Sequence, residues 1–300
     1  LVFIKKYSFG YIDMFAVDVS PGNGESFIYS YILKNKVGKN ECVLIDTGPM
    51  SSSGELLSLI KKLNCSFLHV FLTHIHIDHA GSSGYLVNAF NDKATIYVHP
   101  KGAQHLVDPE RLWLSSLEVL GELAVSYGKP LPIPSSRVYA TKDDEVLNID
   151  GLEIRILHTP GHAPHHQSLL LLNNLLFSGE SLGMFFEEWN AALIASPPPF
   201  KYDVYKASLE RQIGLSPKLL ALPHNTVVGF KDYISVHLAQ LQLWEKIAKN
   251  SKSIEEFVNT ILRYDANVEK LWKTNLYILR ETISTNLKGA YEAFRKQNNN

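Results

Sequence analysis

The stretch THIHIDHAG, residues 73–81, sets His74, His76, Asp78 and His79 within six positions, directly behind the apolar run FLHVFL. Side chains two apart in an extended segment share a face, so His74 and His76 project together. A turn beginning there would bring Asp78 and His79 round to the same point. Neutral imidazoles and a carboxylate are donors suited to zinc, with iron and manganese as alternatives. A set of plain surface histidines is a poor reading, because polar groups at the end of a buried strand are costly without a partner. Four donors so close in sequence do not easily close one tetrahedral site. They suit two neighbouring metal ions, which demands further ligands from elsewhere in the chain.

Three later stretches offer such ligands, each at the end of an expected strand: His162 in HTPGH, Glu180 in FSGES and His224 in LPHN. The elements that must position them read as an alternation. SFIYSYIL (26–33) and CVLID (42–46) are strand-like, and GELLSLIKKL (54–63) has helical periodicity. FLHVFLT (67–73) reads as a strand buried on both faces. TIYVHP (95–100) is another strand, with helical material from about Lys101 to Tyr127, which the prolines of KPLPIP end. GLEIRILHTPGH (151–162) runs from strand into a Pro-Gly turn. SLLLLNNLLFSG (168–179) resembles a hairpin turning at Asn173 and Asn174, KYDVYKASLERQI (201–213) a helix, and KLLALPHN (218–225) a short strand. From Lys231 onward the chain reads as helices only, with Ser253 and Glu256 forming a capping box. The expected division is a mixed domain over 1–229 and a helical domain over 230–300.

With VLIDTGP (43–49) ahead of them, THIHIDHAG, TPGHAPHH, LFSGES and LPHN resemble, in order, the motifs of the metallo-β-lactamase superfamily. The likeness covers about residues 25–230. It implies an αββα sandwich, here with a C-terminal helical appendage, and a dinuclear site of two divalent ions, zinc first. Carried over motif by motif, His74, His76 and His162 would hold one ion, and Asp78, His79 and His224 the other. Position 180 would bridge them. Relatives usually have aspartate there, and Glu180 reaches about 1.5 Å further, one carbon–carbon bond. Asp46 would support the ligand loop from behind and His166 would line the cleft. His165, His158 and His99 are read as structural. The implied chemistry is hydrolysis by hydroxide generated at the metal pair, with Asp78 orienting the nucleophile.

The superfamily leaves the substrate open. The first expectation is a thioester, ester or lactone of a small organic molecule, cleaved in the manner of glyoxalase II, which also carries a C-terminal helical domain. Met184, Phe185, Phe186 and Trp189, just after Glu180, would form an apolar wall of the substrate pocket. Against the specific identity, glyoxalase II has a third histidine where Ile75 stands. The alternative is a metal-dependent endoribonuclease acting on single-stranded RNA, since beta-lactamase-like endoribonucleases have similar motifs and a similar tail. A binding module that has lost activity is a third reading, for which Glu180 is the sole support. The HxExDH pattern of flavodiiron proteins is absent, His76 standing where the glutamate would be.

Charge bears on these choices. The 300 residues carry a formal net charge of −1, and the tail from Lys231 holds 11 Lys and Arg against 8 Asp and Glu, a surplus of +3. That is too little for a strong nucleic-acid field. No apolar run approaches the roughly 18 residues of a membrane span, and the opening segment reads as an edge strand. Cys42 and Cys65, isolated in sequence, are read as free core thiols that suit a reducing cytosol. The expectation is a cytoplasmic protein with a small-molecule substrate, no membrane partner, and an aromatic-rich tail compatible with a homodimer.

Overall fold

The computed structural model describes residues 4–21, 27–224 and 227–296. Leu1 to Phe3 of the expected edge strand, Ser26 and the closing Asn225 of LPHN lie outside the described residues. The chain divides into two compact units. The first holds residues 1–158 and 165–173, the second residues 159–164 and 174–300.

The first unit opens with the strands β1 (Ile4–Phe9), β2 (Ile12–Asp18), β3 (Tyr29–Asn35) and β4 (Glu41–Ile45), each antiparallel to the next. β5 (Phe67–Phe71), β6 (Ala94–Val98) and β7 (Val138–Ala140) extend the same sheet in parallel. Parallel neighbours need crossovers. Helix α1 (Ser53–Lys62) supplies one, and α2 (Ile77–Ala80) with α3 (Ser83–Phe90) another. The helical stretch expected over 101–127 is three helices, α4 (Pro100–Val107), α5 (Glu110–Leu120) and α6 (Glu122–Tyr127). Pro109 and the positive-φ Gly121 separate them. An antiparallel ladder of β8 (Val146–Ile149), β9 (Leu152–His158) and β10 (Gln167–Leu171) completes the unit.

Gln167 ties that ladder to the first sheet. Fully buried, it donates from Nε2 to the Leu72 carbonyl at 2.8 Å and accepts the Thr141 hydroxyl at 2.6 Å. Its backbone N–H reaches the Thr73 carbonyl at 2.7 Å. A buried amide so satisfied costs little and fixes register. Here it sets His166 beside the start of THIHIDH.

The cysteines overturn the expectation of free thiols: Cys42 and Cys65 form a disulfide, and no free cysteine exists. The β4–α1–β5 crossover returns the chain alongside its own start. Glu41 pairs with Phe67 and Cys42 with Leu68, so Cys65 arrives with its Cα 5.5 Å from that of Cys42. That lies within the span a disulfide bridges. Distance in sequence concealed a neighbourhood created by parallel pairing, and the inference of a reducing compartment loses its support.

The second unit contains β11 (Leu175–Phe177), parallel to β14 (Leu219–Ala221), which pairs with β15 (Val227–Gly229). Between them lie a hairpin of β12 (Met184–Phe186) and β13 (Ala191–Leu193) and helix α7 (Tyr202–Leu215). Four helices follow: α8 (Phe230–Asn250), α9 (Ile254–Tyr264), α10 (Ala266–Lys273) and α11 (Tyr277–Lys296). Ser253 caps α9 by accepting from Glu256 N at 3.2 Å, while the Glu256 carboxylate turns back to Lys252 N. Buried Asp265 caps α10 and takes the Trp244 indole N–H at 2.6 Å, binding α8 to α10. No helix among the described residues is long and apolar enough to cross a membrane.

Two measurements check this description. Denatured without reductant, the chain should show no titratable thiol, and Cys42→Ser should lower stability by about 3 kcal/mol for a loop of this size; two free thiols would refute the bond. His237 on α8 is fully buried, stacked on Tyr233 and hydrogen-bonded to the Tyr205 hydroxyl at 2.7 Å. Burial holds its pKa down to about 4 from 6.5. As pH falls, the unfolded chain therefore takes up the proton first. Stabilisation complete above pH 6.5 should drain away between 6.5 and about 4, by up to about 3 kcal/mol. Urea unfolding of wild type and His237→Phe across that range should show the stability gap shrinking; a constant gap would contradict the assignment.

Candidate metal centre

β4 ends at Ile45, and the next residue, Asp46, turns the chain with φ +54°. This left-handed conformation is uncommon outside glycine, though aspartate tolerates it better than most residues. It directs a carboxylate that is 3% exposed at the neighbouring strand end. Asp46 accepts from Thr73 N at 2.7 Å, from the Thr73 hydroxyl at 2.8 Å and from His79 Nδ1 at 2.9 Å. Thr47 clasps the same turn, its N–H reaching the His79 carbonyl at 2.6 Å. Gly48 follows with φ +68°, where a Cβ would stand 2.5 Å from Val19, so the loop accepts only glycine there.

The four donors of the first motif do gather. His74 lies in the segment after β5, His76 caps α2, and Asp78 and His79 sit on its single turn. His74 and His79 are buried, with ring centroids 4.0 Å apart. Thr73 gives its hydroxyl proton to Asp46, so it accepts from His74 Nδ1 at 3.1 Å. His74 then carries its proton on Nδ1 and turns the Nε2 lone pair the other way, to within 3.0 Å of His76 Nδ1. Two nitrogens on one tetrahedral zinc stand about 3.3 Å apart at ordinary Zn–N lengths. Asp78 Oδ2 is 3.5 Å from His79 Nε2 and partly open to solvent.

His166, expected to line the cleft, is fully buried with its ring 5.2 Å from that of His74. His165, read as structural, is only half-buried and stands edge-on to His76 at 5.7 Å. Gly102 of α4 lets Ile75 approach its backbone, where a Cβ would stand 2.8 Å from the Ile75 side chain. The rings of His99 and His158 lie 4.1 Å apart, tilted by 42°, and burial pushes the His99 pKa down to about 4. Sequence reasoning missed Thr73 and Gln167. The available signal was a polar side chain at each end of a buried strand, immediately beside a motif histidine.

In the second unit His162, Glu180 and His224 come together. Glu180 is 7% exposed and splits its carboxylate, Oε2 lying 2.8 Å from His162 Nε2 and Oε1 3.0 Å from His224 Nε2. The longer side chain thus reaches both imidazoles. Burial would raise the Glu180 pKa, yet His162 and then His224 outweigh it and hold the carboxyl well below the usual range. His162 donates from Nδ1 to the Ala195 carbonyl at 3.1 Å. In a neutral ring the Nε2 lone pair then faces a carboxylate oxygen, and two acceptors at 2.8 Å need a proton or a cation between them. That is a donor set fit for a metal ion. Histidine and acidic groups that could hold a metal are present in both units.

Of the residues expected to wall the pocket, Met184 and Phe186 are buried, while Phe185 and Trp189 are partly exposed. The Phe186 ring lies 6.4 Å from that of His224 and 6.1 Å from Trp189. Phe185 turns instead to Tyr233 of α8, whose hydroxyl donates to the Leu182 and Met184 carbonyls.

A family model of the metallo-beta-lactamase superfamily matches residues 23–224. The metallo-beta-lactamase fold-containing protein ST1585 of Sulfurisphaera tokodaii is 32% identical over 217 residues, 71% of this chain and 79% of that protein. Its crystal structure superposes with a TM-score of 0.72 at 26% identity, covering 93% of this chain and 98% of that one. The metallo-beta-lactamase family protein TTHA1429 of Thermus thermophilus shares the fold at 20% identity and TM-score 0.63, over 95% and 94% of the two chains. An atrochrysone carboxyl ACP thioesterase of Claviceps purpurea is 26% identical over 147 residues, 48% of this chain and 37% of that protein. The fold is the α/β sandwich these structures share, with C-terminal helices added.

Asp46→Asn should weaken zinc binding 10- to 100-fold while the chain stays folded, because an amide cannot accept from both Thr73 and His79 in the same way. Competition with a coloured chelator reads this directly; unchanged affinity would remove Asp46 from the account.

Proposed function

The chain belongs to the metallo-β-lactamase superfamily, and on that premise we propose that it is a metal-dependent hydrolase of a thioester, ester or lactone of a small organic molecule. The observation that carries this reading is a common orientation of three imidazoles. His74, His79 and His162 each have Nδ1 engaged by an oxygen behind the ring, from Thr73, Asp46 and Ala195. Such backing fixes the tautomer and presents Nε2 as a ligand.

His74, His76, His162 and Glu180 would hold one divalent ion, and Asp78, His79 and His224 would hold a second. Zinc suits these donors first, iron and manganese next. When bound, the ions would supply Lewis-acid activation of water and of the scissile carbonyl. Asp78, the carboxylate of the first motif open to solvent, orients the attacking water by accepting its hydrogen bond. Glu180 holds His162 and His224 in register through its two oxygens. Phe186, beside His224, keeps one side apolar and favours an organic acyl group over a polyanion.

The thioester class draws support from the likeness to a named ACP thioesterase. Tyr233 of α8 holds the segment after Glu180 within the same compact unit, so the helical tail bears on the residues that flank this site. The test is hydrolysis by the zinc-reconstituted chain of an acyl thioester, an aryl lactone and single-stranded RNA in parallel, with His76→Ala as blank. Turnover of thioester or lactone, lost in the blank, is the expected result. Cleavage of RNA alone would overturn the substrate class.

A further inference from the structure

Buried His237 belongs to neither proposed ligand set, and packing alone does not call for an imidazole there. The ring is fully enclosed, its Nε2 lies 2.7 Å from the Tyr205 hydroxyl, and its Nδ1 has no hydrogen-bond partner among the described residues. A buried polar nitrogen left unmet costs free energy that an apolar side chain would not. The bond to Tyr205 is what the imidazole adds at this position.

What the pair joins gives it a role, all within the second unit. Tyr205 belongs to α7 and lies against the segment that carries His162. A Cβ at Gly161, the residue before His162, would stand 2.4 Å from Tyr205 Cα. The Lys201 N–H, at the start of α7, reaches the Gly161 carbonyl at 3.2 Å, and the Ser208 hydroxyl reaches the Pro160 carbonyl at 2.6 Å. His237 belongs to α8 and lies against the turn that carries Glu180. Gly183 closes that turn by donating its N–H to the Glu180 carbonyl at 3.0 Å, and a Cβ on it would stand 2.9 Å from His237 Cε1. Tyr233, one helical turn before His237, donates to the carbonyls on either side of Gly183. Each helix thus grips one ligand segment, and the Tyr205–His237 bond joins helix to helix. Burial, then Tyr233 and the Glu180 carboxylate, push the Tyr205 pKa well above its ordinary value, so the hydroxyl keeps its proton.

We propose that Tyr205 and His237 are positioning residues whose bond fixes the separation of His162 from Glu180. With it they fix the 2.8 Å approach of Glu180 Oε2 to His162 Nε2, on which a shared metal ion would depend. The proposal rests on the reading of His162 and Glu180 as ligands of one ion. It gives α8, the first helix of the tail, a part in the metal centre without contact to metal or substrate.

The test uses the full-length chain and three variants, with folding checked by circular dichroism. Tyr205→Phe removes the hydroxyl alone. His237→Gln keeps a polar group able to meet that hydroxyl. Trp244→Phe breaks a different buried bond of α8, the one to Asp265. In metal-free protein, amide exchange read by NMR should quicken at Gly183 and Lys201 in Tyr205→Phe and not in Trp244→Phe. Zinc affinity, by competition with a coloured chelator, should fall at least about tenfold in Tyr205→Phe and stay within about threefold of wild type in the other two. Should Tyr205→Phe fail to fold, Tyr205→Phe/His237→Leu, with both partners apolar, serves in its place. Unchanged exchange at Gly183 and Lys201 overturns the proposal whether or not zinc binds. So does an equal loss of zinc affinity in Trp244→Phe or in His237→Gln, which would make the effect one of general packing. If exchange quickens as expected but wild type takes up no zinc, the link between the segments stands and the ligand reading falls.

Discussion

A buried carboxylate is tolerable only when its charge is met by donors, and Asp46 meets three. It sits at a left-handed turn where β4 ends and gathers the amide and hydroxyl of Thr73 and the ring N–H of His79. Through Thr73 it also sets the proton on His74. One side chain thus ties two parallel strand ends and chooses the tautomers of two imidazoles. Left without these donors, Asp46 would cost several kcal/mol, so strand pairing and ligand orientation are a single arrangement here.

Glu180 does the corresponding work in the second unit with a different geometry. It places one oxygen on each of two histidines. The extra methylene over aspartate is what such a split requires when the rings stand on separate segments, one after β9 and one after β14. The departure from the usual aspartate is then consistent with a retained ligand set, which weakens the argument for a domain that has lost its chemistry.

Much of this was legible from the chain. The spacing in THIHIDH announced a shared turn because period-2 geometry and a following helical turn leave little freedom. The later donors were marked by their position after apolar runs. The cysteines were not legible, since their meeting depends on a parallel crossover over 23 residues. Nor was the half-exposed place of His165, edge-on to His76, which depends on a contact between segments far apart in sequence. The apolar wall after Glu180 was legible as composition only. Alternation along β12 buries Met184 and Phe186 and turns Phe185 to Tyr233, which no local pattern distinguishes from a pocket lining. The short strands β7, β12, β13 and β15 have three residues each, too few for periodicity to register.

The central claim is that these histidines and carboxylates are preorganised for metal. Calorimetric titration of the chelator-stripped, full-length chain with zinc at neutral pH tests it most directly. The account predicts tight binding of one to two equivalents per chain, with Nε2 of His74 and His79 already presented as lone pairs. No saturable binding, or binding unchanged when His74 and His162 are both replaced by alanine, would contradict it.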